Sequence, residues 1–285
     1  MQNNTYILNN GVEIPYIGLG TWQINEETNC INTIKTALSL GYRLIDTASA
    51  YLNEEFIGKA LLSSEIPRES LFISSKLWVQ DYGYKNTLIA FEKTLKRLHT
   101  DYLDMYMLHW AVSDYIGSWK ALEELYSYGK IRSIGVCNFP INELETLMKS
   151  AQIKPAINQV ETHPLFQQIE MKKYLKENHI AHESWAPFSQ GNTRLLHHPT
   201  LAAIAKAHNK NISQVILRWH IENGSIVIPK ATSYEHLKSN IQIFDFKLTN
   251  TELQTISKLD TNHPFSVSPK DRSWLQTVEN WKLDI

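Results

Sequence analysis

Four residues of this 285-residue chain are of types that do proton chemistry together: Asp46, Tyr51, Lys76 and His109. They are a carboxylate, a phenol, an ammonium and an imidazole. Asp46, Lys76 and His109 each close a short apolar run that reads as a strand, and Tyr51 stands five residues beyond Asp46. Side chains at alternate strand positions share a face. His109 therefore sits with Leu103, Met105 and Met107, and Lys76 with Phe72 and Ser74. A lysine at the tip of such a face needs a counter-charge, because an unpaired buried ammonium is costly. Asp46 on the neighbouring strand is placed to supply it. Each residue alone has a plainer explanation. A lysine after a strand is usually solvated, an aspartate opening a loop is usually a turn residue, a histidine before tryptophan usually packs, and Tyr51 is one of 13 tyrosines. The set gains meaning only if one scaffold brings all four to one rim.

The surrounding elements predict such a scaffold. Residues 5–8 and 12–14 flank Asn9-Asn10-Gly11, a hairpin in which Asn-Gly supplies positive φ. Eight apolar strands then follow, at 17–20, 44–46, 71–76, 102–109, 131–137, 155–160, 180–185 and 225–228. Helical spacing fills the intervals, at 26–39, 54–62, 84–98, 115–128, 141–149, 167–178, 201–208 and 213–222, with two more helices at 233–240 and 249–259. Buried parallel strands alternating with helices indicate an α/β fold, and eight such units indicate one (β/α)8 TIM barrel domain spanning 1–285. The hairpin closes its bottom, and a loop tail follows Asp260. The alternative, an open dinucleotide-binding sheet, lacks its fingerprint, because Gly18-Leu19-Gly20 runs into Trp22 and Gln23 instead of a third glycine. In a barrel, chemistry gathers at the C-terminal strand ends, where these residues lie.

Composition narrows the function classes. The chain is 43% hydrophobic and 20% charged, with a formal net charge of −1. No basic or acidic run points to nucleic acid or an anionic membrane. No apolar stretch approaches the roughly 20 residues of a membrane-spanning helix, and the first ten residues lack a signal-peptide core. Cys30 and Cys137 form no C-x-x-C pair, which suits a reducing cytoplasm. His197-His198 has no convincing partners for a metal. The expected protein is cytoplasmic and monomeric, with a small carbonyl compound as partner, no metal, no membrane and no nucleic acid.

At the chemical residues the chain closely resembles the aldo-keto reductases, in particular their bacterial glyoxal and 2,5-diketo-D-gluconate reductase branch. The matching stretches are Gly41-Tyr42-Arg43-Leu44-Ile45-Asp46-Thr47-Ala48 through Tyr51 to Asn53-Glu54-Glu55, then Ser75-Lys76-Leu77-Trp78, then Asp101-Tyr102-Leu103-Asp104 through Leu108-His109-Trp110. Gly129-Lys130-Ile131-Arg132-Ser133-Ile134-Gly135-Val136-Cys137-Asn138-Phe139, Asn158-Gln159-Val160-Glu161 and Ile228-Pro229-Lys230 follow in order. Together they span roughly residues 5 to 260.

The resemblance implies hydride transfer from NADPH, with NADH possible, to a carbonyl carbon. It makes Tyr51 the proton donor, Lys76 the cation that eases loss of its proton, Asp46 the partner of Lys76, and His109 the hydrogen-bonding group for the carbonyl oxygen. It places Gly20, Thr21, Trp22, Asp46, Cys137, Asn138, Gln159 and Trp185 around the ribose and nicotinamide. Ala186, Pro187, Phe188 and Gln190 follow in the loop over the pyrophosphate. Lys230, Ala231, Thr232, His236 and Asn240 lie toward the 2′-phosphate and adenine, with Thr232 and Glu235 at capping-box spacing. Three positions depart from the family pattern: Cys137 and Ala231 replace serines, and His236 replaces an arginine. Histidine lacks arginine's permanent charge and planar fork, so a weakened preference for NADPH is expected. Trp22, Tyr51, Trp78, His109 and Trp110 are the expected substrate contacts. The short loop at 112–117 suggests an open site for small or aromatic aldehydes. A non-catalytic nicotinamide-binding sensor on the same barrel is the competing expectation. A metal-dependent barrel hydrolase or lyase lacks ligand clusters at the strand ends.

Overall fold

The computed structural model describes residues 4–266 and 268–284. An antiparallel hairpin comes first, β1 (Thr5–Ile7) against β2 (Glu13–Pro15). Leu8 and Val12 close its turn, and Gly11 alone takes positive φ there, at 82°. Asn10 does not share it. Eight parallel strands follow among the described residues, β3 (Leu19–Gly20), β4 (Leu44–Asp46), β5 (Phe72–Leu77), β6 (Leu103–Leu108), β7 (Ile131–Cys137), β8 (Ile157–Glu161), β9 (Ala181–Trp185) and β10 (Ser225–Val227), each paired with the next in chain order. Helices α1 (Glu27–Ser39), α2 (Glu54–Leu62), α3 (Tyr84–Leu98), α4 (Tyr115–Ser127), α5 (Ile141–Ser150), α6 (Ile169–Glu177), then α7 (Thr193–Leu196), α8 (Pro199–Ala207) and α9 (Ile212–Glu222) fill the crossovers. After β10 come α10 (Tyr234–Ile241), α11 (Asn250–Ser257) and α12 (Arg272–Asn280).

The sheet closes on itself. Ile17 bridges Val227 in parallel, Gly18 N donates to Val227 O, and Gly20 N donates to Pro229 O. The close approach explains Gly20: a Cβ there would stand 2.7 Å from the Ile228 carbonyl oxygen. Leu44, Phe72, Met105, Met107, Ile157, Ala181 and Ile226 fill the lower barrel, and Leu8 and Ile14 of the hairpin plug them from below. Each plug residue contributes about 1.5–3 kcal/mol by burial. Asn9 and Asn10 fasten the plug by donating to the carbonyl oxygens of Pro155 and Arg132.

Outside the strands, each helix turns an apolar stripe inward. On α3 the stripe is Thr87, Ala90, Phe91, Thr94, Leu95 and Leu98, the three-to-four spacing of an amphipathic helix. Caps set the helix starts. Glu26 caps α1, and capping boxes at Asn211/Gln214 and Thr249/Glu252 open α9 and α11. At α10 the cap is Ser233, which accepts from His236 N, so Thr232 is not the cap that its spacing from Glu235 implied.

The tail beyond Asp260 is partly helical instead of a loop throughout. Thr261 donates to Leu165 O, Phe265 N donates to Glu161, and α12 packs beyond them against the β5 and β6 ends. Among the described residues no helix is long and apolar enough to cross a membrane.

Candidate active site

Asp46 ends β4, and Lys76 lies one position before the end of β5. Both are buried, and Lys76 Nζ donates to Asp46 Oδ2 at 2.6 Å and to Thr47 O at 3.0 Å. The other carboxylate oxygen, Asp46 Oδ1, accepts from Ser74 Oγ and from Gln159 Nε2. Burial works against the Lys76 charge. The Asp46 carboxylate, with smaller contributions from Tyr51 and Cys137, outweighs it and lifts the lysine above its usual range.

Tyr51 is carried on a single turn, residues Ser49–Tyr51, closed by its own N–H to Ala48 O. Ser49 ties that turn to the Lys76 carbonyl, and Asn53, wholly buried, ties it to the loop after β3. Asn53 accepts from Thr47 Oγ1 and donates to the Thr21 and Ile24 carbonyls. The Lys76 ammonium thus lies 5.2 Å from the centre of the Tyr51 ring. Lys76 acts in the expected direction, but it does not set the net result. Lys76 does pull the phenol's pKa down, but burial pushes it up by more, and the net position is above the ordinary tyrosine range.

His109 follows β6, with its ring 5.8 Å from Tyr51 and 5.2 Å from Trp78, edge-on to both. Burial first, and then the Lys76 charge, push its pKa well below the usual value. The imidazole is neutral, and its buried Nδ1 has no protein partner. Neutral imidazole can donate from one nitrogen without bringing a second cation beside Lys76.

The remaining candidates form a band around this centre. Thr21 is buried, and its hydroxyl bonds the Asp46 carbonyl. Cys137 and Gln159 end β7 and sit in β8 as register partners. Asn138, at φ 61°, donates to His109 O and accepts from Trp185 Nε1 at 3.0 Å. Trp185, Ala186 and Phe188 are partly exposed, Pro187 is buried and Gln190 is exposed. Ala186 and Gln190 both have positive φ, so the loop after β9 turns sharply. Lys230, Thr232 and His236 are exposed around the start of α10, while Ala231 and Asn240 are buried. Lys230 Nζ reaches Gln23 Oε1 across the β3–β10 seam.

The mouth is less open than the short 112–117 loop suggested, because the tail walls it. Trp78 and Trp110 are only 5% and 8% exposed. Trp281 meets Trp78 edge-on and accepts from its Nε1, Trp274 meets Trp110, and Gln80 exchanges two bonds with Leu283. Trp22 remains 45% exposed, beside the site. Glu161 holds the far end of the tail. Its carboxylate accepts from Phe265 N, Ser266 N, Ser266 Oγ and the His163 ring.

Three contributors escaped the sequence reading: Glu161, the tail tryptophans and Glu183. The two acids left a legible signal there. Glu183 stands two positions before Trp185 and Glu161 two after Gln159, hence on the same strand faces as those candidates. Among the described residues no group of three or more His, Cys, Asp or Glu could hold a metal.

A closed eight-stranded barrel with a lysine–aspartate pair, a tyrosine and a neutral histidine at its C-terminal rim has the form of a carbonyl oxidoreductase. The aldo/keto reductase family profile matches residues 16–261, and the chain belongs to that family. It is 47% identical over 260 residues to the uncharacterized oxidoreductase YtbE of Bacillus subtilis, covering 90% of this chain and 92% of that one. It is 45% identical over 269 residues to the glyoxal reductase of the same organism, covering 94% and 97%. Among solved structures, a Bombyx mori aldo-keto reductase in complex with NADP superposes with a TM-score of 0.88 at 30% identity, covering 97% of each chain. The protein is accordingly an oxidoreductase acting on carbonyl groups.

Proposed function

We propose that this enzyme reduces aldehydes, ketones and dicarbonyls to alcohols with NADPH, and that Tyr51 delivers the proton. The observation carrying this reading is the buried Lys76–Asp46 pair set under the Tyr51 ring, with neutral His109 beside it.

The residues present suit a nicotinamide cofactor. Trp185 offers a partly exposed ring pinned by Asn138, and Asn138 and Gln159 set amide groups around it. His109 Nδ1 and Glu183 Oε1 are buried polar atoms without protein partners at or just beneath that place. Exposed Lys230 stands before the first turn of α10, whose free N–H groups and dipole favour a phosphate. The bound dinucleotide supplies the hydride.

The chain's own residues handle the oxygen. His109 orients the carbonyl oxygen by hydrogen bonding, and Tyr51 gives its proton as negative charge develops there. A phenol with a raised pKa still serves, because an alkoxide is more basic than a phenolate. Lys76 limits how tightly Tyr51 holds its proton, and Asp46 keeps Lys76 charged and fixed. Trp78 and Trp110, met by Trp281 and Trp274, form an apolar wall suited to small or aromatic carbonyls, and exposed Trp22 follows Thr21 on the loop after β3. The 45% identity to a glyoxal reductase supports dicarbonyls among them. Lys230 supports NADPH, and His236 tempers the preference over NADH.

The test is NADPH consumption with methylglyoxal, phenanthrenequinone and a nitrobenzaldehyde. Turnover is expected with at least one of them, and Tyr51→Phe should lose about 10²–10⁴-fold of it. No turnover with any carbonyl refutes the reductase reading. Equal turnover by Tyr51→Phe refutes Tyr51 as donor.

A further inference from the structure

We infer that Glu183 is a positioning residue for this reaction, holding the Gln159 amide against Asp46. The inference rests on the reading of Asp46, Lys76 and Tyr51 given above. Gln159 Nε2 donates to two carboxyl groups at once, Asp46 Oδ1 at 3.0 Å and Glu183 Oε2 at 2.8 Å. The two N–H bonds of one amide nitrogen are thereby used in full. This fixes which end of the amide faces inward, and leaves Gln159 Oε1 beside Cys137 Sγ. Without Glu183, Gln159 would keep the Asp46 bond and a weak bond from the Cys137 thiol, and could swing about its side-chain torsions. Asp46 would then lose the constancy of one of its partners.

Glu183 is 1% exposed, and its second oxygen, Oε1, has no protein partner. From β4 it faces Asp46, from β5 Lys76, from β7 Cys137 and from β8 Gln159, while its register neighbour on β10 is apolar Ile226. Two carboxyl groups therefore share one ammonium, and Lys76 is bonded to Asp46. Like charges in one buried site cannot both ionise cheaply. The proton stays on Glu183, whose pKa burial and the Asp46 charge push up to about 8. Above that pH a second negative charge appears next to Asp46. It tightens the hold of Tyr51 on its proton and opposes the developing alkoxide.

The experiment is the pH dependence of kcat/KM for NADPH-linked reduction of methylglyoxal by wild type, Glu183→Gln and Glu183→Ala. The wild-type profile should bend downward near pH 8. Glu183→Gln should lack that bend. Glu183→Ala should lower kcat/KM about fivefold to tenfold at neutral pH, the worth of one amide–carboxyl hydrogen bond, and Glu183→Gln should recover most of that loss. A bend that persists in Glu183→Gln, or a Glu183→Ala enzyme equal to wild type, overturns the inference. Infrared difference spectra of the wild type give a readout independent of turnover and of any variant's folding. They should show a protonated carboxyl at neutral pH that disappears through pH 8. Absence of that band also overturns it. Wild-type turnover by both Tyr51→Phe and Lys76→Met would instead sink the reading of the site.

Discussion

Replacing Lys76 by methionine separates the lysine's work in folding from its work on Tyr51. The wild-type ammonium is fully buried and bonds Asp46 Oδ2 at 2.6 Å. Its removal leaves a buried carboxylate with only the Ser74 and Gln159 donors. Breaking one partner of such a pair costs about 3–5 kcal/mol, and each kcal/mol lowers the melting midpoint by roughly 2–4 °C. Adding Asp46→Asn removes the stranded charge. The double variant should return to within roughly 2 kcal/mol of wild type, because replacing a whole buried pair is nearly neutral. Activity should not return, since nothing then draws down the Tyr51 pKa. Both variants should turn over about 10²–10⁴-fold more slowly. Titration of the lysine itself should add no pH dependence to this stabilisation below 10.5. Lys76 is raised in the fold, so its contribution is complete below its ordinary 10.5 and is lost only above it. Denaturant melts and NADPH consumption on the two variants make the measurement. A double variant no more stable than the single one, or one with restored turnover, would refute the reasoning.

Two further outcomes follow from the rim. His236→Arg should tighten NADPH relative to NADH by about tenfold, the scale of a charge-assisted phosphate contact, read as Kd by fluorescence titration; an unchanged ratio removes His236 from the cofactor site. Burial opposes a charged Glu161, but bonds from His163, Ser266 and Phe265 outweigh it and hold its pKa below the ordinary 4.5. Its anchoring of the tail is therefore complete above 4.5 and lost as pH falls through its lowered value. Acidification should redden the tryptophan emission before helix content falls, and Glu161→Gln should bring that change to neutral pH. Identical emission curves for the two proteins would rule Glu161 out as the anchor.

Local pattern carried much of this protein. Strands of two to seven residues between amphipathic helices specify the barrel, because periodicity is written in neighbouring residues. Alternation within β5 and β6 likewise put Lys76 and His109 at inward tips, and Asp46 ended a three-residue strand. Capping at α10 was legible only to within one residue, since Thr232 and Ser233 are both competent caps and backbone geometry chose between them.

Quantities that sum over distant groups waited for the tertiary structure. Lys76 was visible as a cation near Tyr51, yet the net direction of the tyrosine's shift depends on how much barrel surrounds it. Glu183 reads as one acid in a short strand until closure sets Asp46, Lys76 and Gln159 around it. The tail shows no repeat that announces its path, and its tryptophans become a wall only because Trp78 and Trp110 meet them across the mouth. Periodicity is local, whereas burial and charge coupling belong to the folded whole.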